Sequence, residues 1–159
     1  MTSLHQYMFA FACLTHSASF LILSLDRAMR KEFGLSIAEQ DLLSQLSARG
    51  EKLRFVDLSE RMSLSKAGIT KMMDRLEKEG LAKRQPSTQD RRALNALPTK
   101  KGEALVGKTR TLLRGWVKTH LADFLSENEI RQLTGILQKV LEGNGRWEIH
   151  QRLTKCPSK

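Results

Sequence analysis

The sequence predicts a mainly α-helical fold: a winged helix-turn-helix with a small β-hairpin wing, flanked by N- and C-terminal dimerisation helices. Three observations carry that expectation. Residues 58–99 contain a short helix, a tight turn, a second helix with clean start and stop signals, and a basic hairpin. Residues 7–25 run for 19 positions without a formal charge. Two more amphipathic helical patterns follow the hairpin, giving the order two helices, helix-turn-helix, wing, two helices. The expected boundaries are 1–34 for the N-terminal dimerisation helix and 35–99 for the winged helix-turn-helix. Residues 100–142 form the C-terminal dimerisation helices and 143–159 a basic tail. At 159 residues the length fits one structural domain.

The uncharged N-terminal run is long enough to count as a membrane-span candidate. Thr15, His16, Ser17, Ser19 and Ser24 interrupt it, and no Lys or Arg precedes it as a signal peptide requires. It reads instead as a long helix covered on nearly all sides, and in a small protein the surface able to cover it is a second copy of the chain. Residues 26–33 continue as a charged helical segment stopped by Gly34. Ser36 and Glu39 stand as a capping box for the next helix, which turns Leu42, Leu43 and Leu46 inward. Arg49, Gly50 and Glu51 turn the chain, and residues 53–55 fit a short strand pairing with the wing.

The second helix of the motif has the clearest punctuation. Ser65 is placed to cap it, with Leu64 and Ile69 at the staple positions. Ile69, Met72, Met73 and Leu76 recur as one apolar stripe, and Gly80 followed by Leu81 predicts a Schellman stop. The opposite face carries Ala67, Thr70, Lys71, Asp74 and Lys78, with Lys66 and Arg75 at its flanks. By itself such a face reads equally well as a solvated surface. The following residues shift the balance: 82–85 and 93–97 read as two strands joined by a polar loop, with Lys83 and Arg84 on the ascending strand and Arg91 and Arg92 at the tip. A recognition helix enters the major groove, and a basic hairpin beside it reaches a minor groove whose narrowness favours Arg.

After the wing, Thr99 caps a helix expected to run to about 124, with Leu105, Leu112, Leu113, Trp116 and Leu121 as apolar positions. Ser126 and Glu129 form a second capping box, with Leu125 and Ile130 as staple, ahead of a stripe of Ile130, Leu133, Leu137, Val140 and Leu141. Gly143 and Gly145 break that helix.

Lys and Arg outnumber Asp and Glu by 27 to 17, for a net charge of +10. Residues 52–101 hold 13 basic and 6 acidic residues, so +7 of that charge falls on the motif. Charge alone would suit an anionic membrane as well as a phosphate backbone, and the motif favours DNA. Cys13 and Cys156 are 143 residues apart and make no disulfide framework, which fits a reducing cytoplasm.

From residue 35 to 102 the chain resembles the MarR family of bacterial winged-helix regulators. The family's Asp-x-Arg wing signature stands here as Asp90-Arg91-Arg92, and its Leu-Thr-x-x-Gly exit as Pro98-Thr99-Lys100-Lys101-Gly102. The resemblance implies that Asp90 braces Arg92 while Arg92 enters the minor groove, and that the terminal helices interdigitate in a homodimer. Two departures stand out. Pro98 removes an amide from the second wing strand, which should end early or lie at an edge. Val56 occupies the expected N-cap of the helix before the turn, at a cost of about 1 kcal/mol.

The function expected is a homodimeric, sequence-specific transcriptional regulator of double-stranded DNA with a pseudo-palindromic operator, a repressor released by a small ligand or an oxidant. The DNA-contact candidates are Ser65, Lys66, Ala67, Thr70, Lys71, Arg75, Lys83, Arg84, Asp90, Arg91 and Arg92. The alternative is a membrane-tethered or partner-binding winged helix without operator recognition. Enzyme chemistry is not expected: His5, His16, His120 and His150 are scattered, with no metal-binding spacing, phosphate loop or nucleophile elbow. No cofactor or metal is expected, nor stable membrane association.

Hydroperoxide-sensing relatives carry a reactive Cys near the start of the first helix, which Cys13 resembles in position. Phe9, Phe11 and Leu14 around it favour a buried structural thiol instead. Other relatives bind aromatic acids between the dimer helices and the winged helix, and His16, Arg27, Arg30 and Trp116 are candidate lining here.

Overall fold

The structure, a computed structural model, describes residues 3–48, 53–86 and 94–146. It divides into two compact units, Met1–Ile37 and Ala38–Lys159. The first is one helix, α1 (Leu4–Phe33), longer than the apolar run alone implies. Ser3 and Gln6 form a capping box that the uncharged run hides, since Ser3 Oγ accepts from the Gln6 amide while Gln6 Oε1 accepts from the Ser3 amide at 2.9 Å. Gly34 ends the helix at φ +69°, a conformation open to glycine at little cost. Asp26 then accepts from the Ile37 amide at 2.9 Å, closing the turn. Among the described residues α1 is the one helix long and apolar enough to cross a membrane, and Phe9, Phe11 and Phe20 on it are each more than 60% exposed. Cys13 is exposed as well, which corrects the expected buried thiol: its phenylalanine neighbours along the helix also point outward.

The second unit packs α2 (Ile37–Ser47), α3 (Phe55–Met62) and α4 (Lys66–Lys78) around one core. Leu42, Leu43, Leu46, Leu58, Ile69, Met73 and Leu76 are essentially inaccessible. Three short strands follow the same logic: β1 (Leu53–Arg54), β2 (Ala82–Pro86) and β3 (Leu94–Pro98) form an antiparallel sheet in the order β1-β3-β2. Pro98 therefore ends a central strand rather than an edge one. It is tolerated because β1 pairs only with Asn95 and Ala96, so Pro98 faces a single neighbour, Ala82.

The start of α3 also differs from expectation. The N-cap is Arg54, not Val56, and it has no side-chain bond to the helix amides. Its guanidinium instead grips Asp57 in the first turn with two bonds of 3.0 Å. That bond, helped by the charges of Arg54 and Arg61 against a smaller effect of burial, holds the Asp57 carboxyl below the ordinary carboxylate range. A lowered folded-state pKa stabilises the fold above the ordinary value and loses that contribution as pH falls through the folded one. Asp57→Asn should therefore lower the unfolding free energy measured in urea at pH 7, by less than about 1 kcal/mol because the pair is partly exposed. The gap between the two proteins should shrink as pH falls below the ordinary carboxylate range, and a gap that does not change with pH would exclude the ion pair as the cause.

The chain leaves the wing through Thr99, whose hydroxyl accepts from the Gly102 amide to cap α5 (Lys100–Val117). α5 is shorter than expected, because a five-residue π-helical turn (Lys118–Ala122) takes over. There the rings of Trp116 and His120 stack 4.1 Å apart, and the imidazole Nδ1 lies 3.0 Å from the Trp116 carbonyl. Ser126 and Glu129 cap α6 (Glu127–Gly143) reciprocally, as their spacing predicts. No residue of α6 is buried, and Leu133, Ile136 and Val140 lie open.

Candidate DNA interface

The helix-turn-helix is built from α3 and α4, and the turn between them sets the exposed face of α4. Ser63 takes a left-handed conformation at φ 53°, and Ser59 ties the turn down by donating to the Leu64 carbonyl at 2.6 Å. Ser65 then caps α4 by accepting from Gly68 at 3.1 Å. The far end closes with the bond a Schellman stop requires, Leu81 amide to Leu76 carbonyl at 2.8 Å. Ile69, Met73 and Leu76 bury the inner face, while Leu64 stays too exposed to staple Ile69 firmly.

The outer face is what this punctuation leaves free. Ser65, Lys66, Ala67, Thr70 and Lys71, all in the N-terminal half, are exposed. Thr70 donates its hydroxyl to the Lys66 carbonyl at 2.9 Å, which leaves its lone pairs outward as acceptors. Among the described residues the ammonium groups of Lys66 and Lys71 have no ion-pair partner.

Two of the expected contact residues turn inward. Arg75 donates to both oxygens of Glu39 on α2, at 2.9 and 3.1 Å. Glu39 is buried, so this bridge ties α4 to the core while about half of the Arg75 side chain still faces solvent. Arg84 on β2 is more fully committed. Its guanidinium bonds to Glu77, to Asp74 at 2.6 Å and to the Thr70 carbonyl at 3.2 Å, and it lies 5.3 Å over the Phe55 ring. Nothing in the sequence alone gives Glu39, Asp74 or Glu77 these roles. The carboxylates on α4 stand at positions i+4 and i+7 from Thr70, a spacing that could have flagged a common partner.

Lys83 stands exposed on β2, opposite Leu97. Asp90, Arg91 and Arg92 lie outside the described residues.

The ligand and redox candidates distribute over both units. Cys13, His16 and Arg27 are exposed along α1. Trp116 is half-buried on α5, and its Nε1 is buried with no hydrogen-bond partner among the described residues. Among those residues no three His, Cys, Asp or Glu side chains gather at metal-binding distance.

Comparison with known proteins places this geometry. A family model described as the MarR family matches residues 35–94. The transcriptional repressor MdtR of Bacillus subtilis (strain 168) is 30% identical over 120 residues, 72% of each chain. The homoprotocatechuate degradative operon repressor of Escherichia coli is 29% identical over 69% of this chain and 74% of its own. Among solved structures, the MarR family regulator Sco3205 of Streptomyces coelicolor, in complex with DNA, superposes with a TM-score of 0.81 over 90% of both chains at 22% identity.

Proposed function

This chain belongs to the MarR family and is a DNA-binding transcriptional regulator, not an enzyme; from that premise we propose that it works as a homodimeric repressor of a pseudo-palindromic operator, released by a small ligand or an oxidant. The observation that carries the reading is the N-terminal half of α4, where Lys66, Ala67, Thr70 and Lys71 are exposed side by side beside the wing. That half of a recognition helix approaches base edges, and two copies about one helical turn apart match a symmetric site. Lys71 supplies the donor for a guanine, Thr70 and Ala67 suit a thymine methyl, and Ser65, Lys66 and Lys83 meet phosphate. At the wing tip Arg92 enters the minor groove, oriented by Asp90, with Arg91 on the backbone. The outer part of Arg75 can meet phosphate while its inner nitrogen stays on Glu39.

Repression is supported by the names of the two repressor relatives. Release by a ligand or oxidant is supported by the Cys13 thiol, exposed in the single chain, and by Trp116 Nε1, which has no hydrogen-bond partner among the described residues and can donate to an acceptor. A cytoplasmic location follows from this role.

The test is selection of operator from a random DNA pool by the purified protein. A pseudo-palindrome with half-sites about 10 base pairs apart should emerge. Lys71→Ala should weaken binding to it by about 1–3 kcal/mol while leaving random DNA unaffected. Equal losses on both DNAs would rule out base reading by Lys71. No enrichment at all, with the protein partitioning into detergent, would favour the membrane-tethered reading that the apolar surface of α1 suggests.

A further inference from the structure

The sequence offers Arg84 as one more cation on a basic wing, but its surroundings in the structure are those of an anchored group. Three polar anchors, Thr70, Asp74 and Glu77, lie on a single stripe of α4, and Arg84 reaches all three from the middle of β2. The backbone takes part as well, because the Arg84 amide donates to Glu77 Oε1 at 2.6 Å. Phe55 at the start of α3 closes the site from beside, its ring 5.3 Å from the guanidinium carbon. Only 23% of the Arg84 side chain remains exposed.

The charges point the same way. Asp74 and Glu77 sit on a helix that must approach phosphates, where each carboxylate opposes binding. Their presence needs a compensating role, and a planar guanidinium with donors fixed in a fork is what two carboxylates and a carbonyl can hold in one orientation.

The segment linking α4 to β2 is only Glu79, Gly80 and Leu81. A connection that short sets where the wing begins, while a bond network two residues into β2 sets where it points. Reading a major groove with α4 and the adjoining minor groove with the tip requires that angle to be held before DNA arrives.

We propose that Arg84 is a positioning residue, clamped by Thr70, Asp74 and Glu77, that fixes the direction of the wing against the recognition helix rather than contacting DNA itself. The inference rests on the operator-binding reading above.

The experiment compares affinity for the selected operator with A·T-rich flanks and with G·C-rich flanks. The full-length protein should prefer A·T flanks through the wing. Arg84→Ala should reduce that preference to near unity while the preference for the operator core over random sequence survives. Arg84→Lys should behave like Arg84→Ala, because an ammonium cannot span the three anchors. In an Arg92→Ala background the Arg84 substitution should change flank preference no further, the signature of two residues acting through one contact. A direct phosphate contact predicts the opposite on each count: rescue by Lys, and losses that add to those of Arg92→Ala. Either result overturns the clamp while leaving operator binding intact.

Should Arg84→Ala not fold by circular dichroism, Asp74→Asn asks the same question with Arg84 retained. It should weaken the flank preference although it removes a negative charge beside DNA. Tighter binding with flank preference unchanged would overturn the clamp. A wild-type protein that selects no site overturns the function and the clamp together.

Discussion

Gly102→Ala is expected to destabilise the protein by about 3 kcal/mol or more, at the upper end of what overpacking a core costs. Helix propensity alone predicts the reverse, a gain of about 1 kcal/mol for Ala over Gly in a helix interior. The environment of Gly102 decides the sign. A Cβ there would sit 2.1 Å from the Leu81 carbonyl oxygen and 3.1 Å from Leu43 Cδ1. That oxygen cannot simply withdraw, since it accepts from the Thr99 amide at 3.0 Å and the Thr99 hydroxyl at 3.2 Å. Relief would mean moving α5 away from the start of β2, breaking the joint through which the wing is framed. Gly107, on the same helix, serves as the control, because a methyl group added there would meet no atom within 4 Å among the described residues. Gly107→Ala should raise stability by about 0.5–1 kcal/mol. Urea unfolding of the two variants should move the midpoint in opposite directions. A Gly102→Ala protein as stable as wild type would mean the close approach of α5 to Leu81 is absent in solution.

This glycine also marks the limit of what the sequence discloses. Its place in the wing exit motif is legible, and so are the α4 punctuation, the α6 capping box and the two wing strands. All of these depend on neighbours within a few positions. The reason for the glycine is not legible, because Leu43 and Leu81 reach it only through the fold. The same distinction separates the residues of the interface. Exposure of Lys66, Thr70 and Lys71 follows from helical periodicity around Ile69 and Met73. The inward turn of Arg75 depends on Glu39, 36 positions earlier, and that of Arg84 on carboxylates that periodicity alone leaves on a solvated face. Arginine type and position predict a cation, and only the fold tells whether its charge is already matched. The Arg54 cap is hidden for a related reason: β1 pairs through Arg54 itself and hands the chain to α3 two residues earlier than an N-cap at Val56 would place it. The π-helical turn after Val117 has no signal in the sequence that we can identify.

The largest functional effect is expected from α1. A stripe through Leu4, Tyr7, Phe11, Leu14 and Ile22 lies open along one side of it, and Phe9 and Phe20 lie open on the other. Burying a single large apolar side chain is worth about 1.5–3 kcal/mol, so a helix exposing this many is unfavourable in water without a cover. A second copy provides that cover under the proposed function. Phe11 and Ile22 are 11 residues apart, about three turns, and so face the same way. Phe11→Asp combined with Ile22→Asp should convert a particle of twice 18.1 kDa into one of 18.1 kDa by sedimentation at micromolar concentration. Operator affinity should fall by about 10²–10⁴-fold, because the second half-site is no longer delivered by a tethered partner. Binding to DNA carrying one half-site should stay unchanged, which separates loss of assembly from loss of folding. A membrane role for α1 predicts a different pattern: wild type in the detergent phase, release into water by the two aspartates, and the same operator affinity before and after. A wild-type chain that sediments as a monomer in aqueous buffer would remove the dimer, and with it the reason for a symmetric operator.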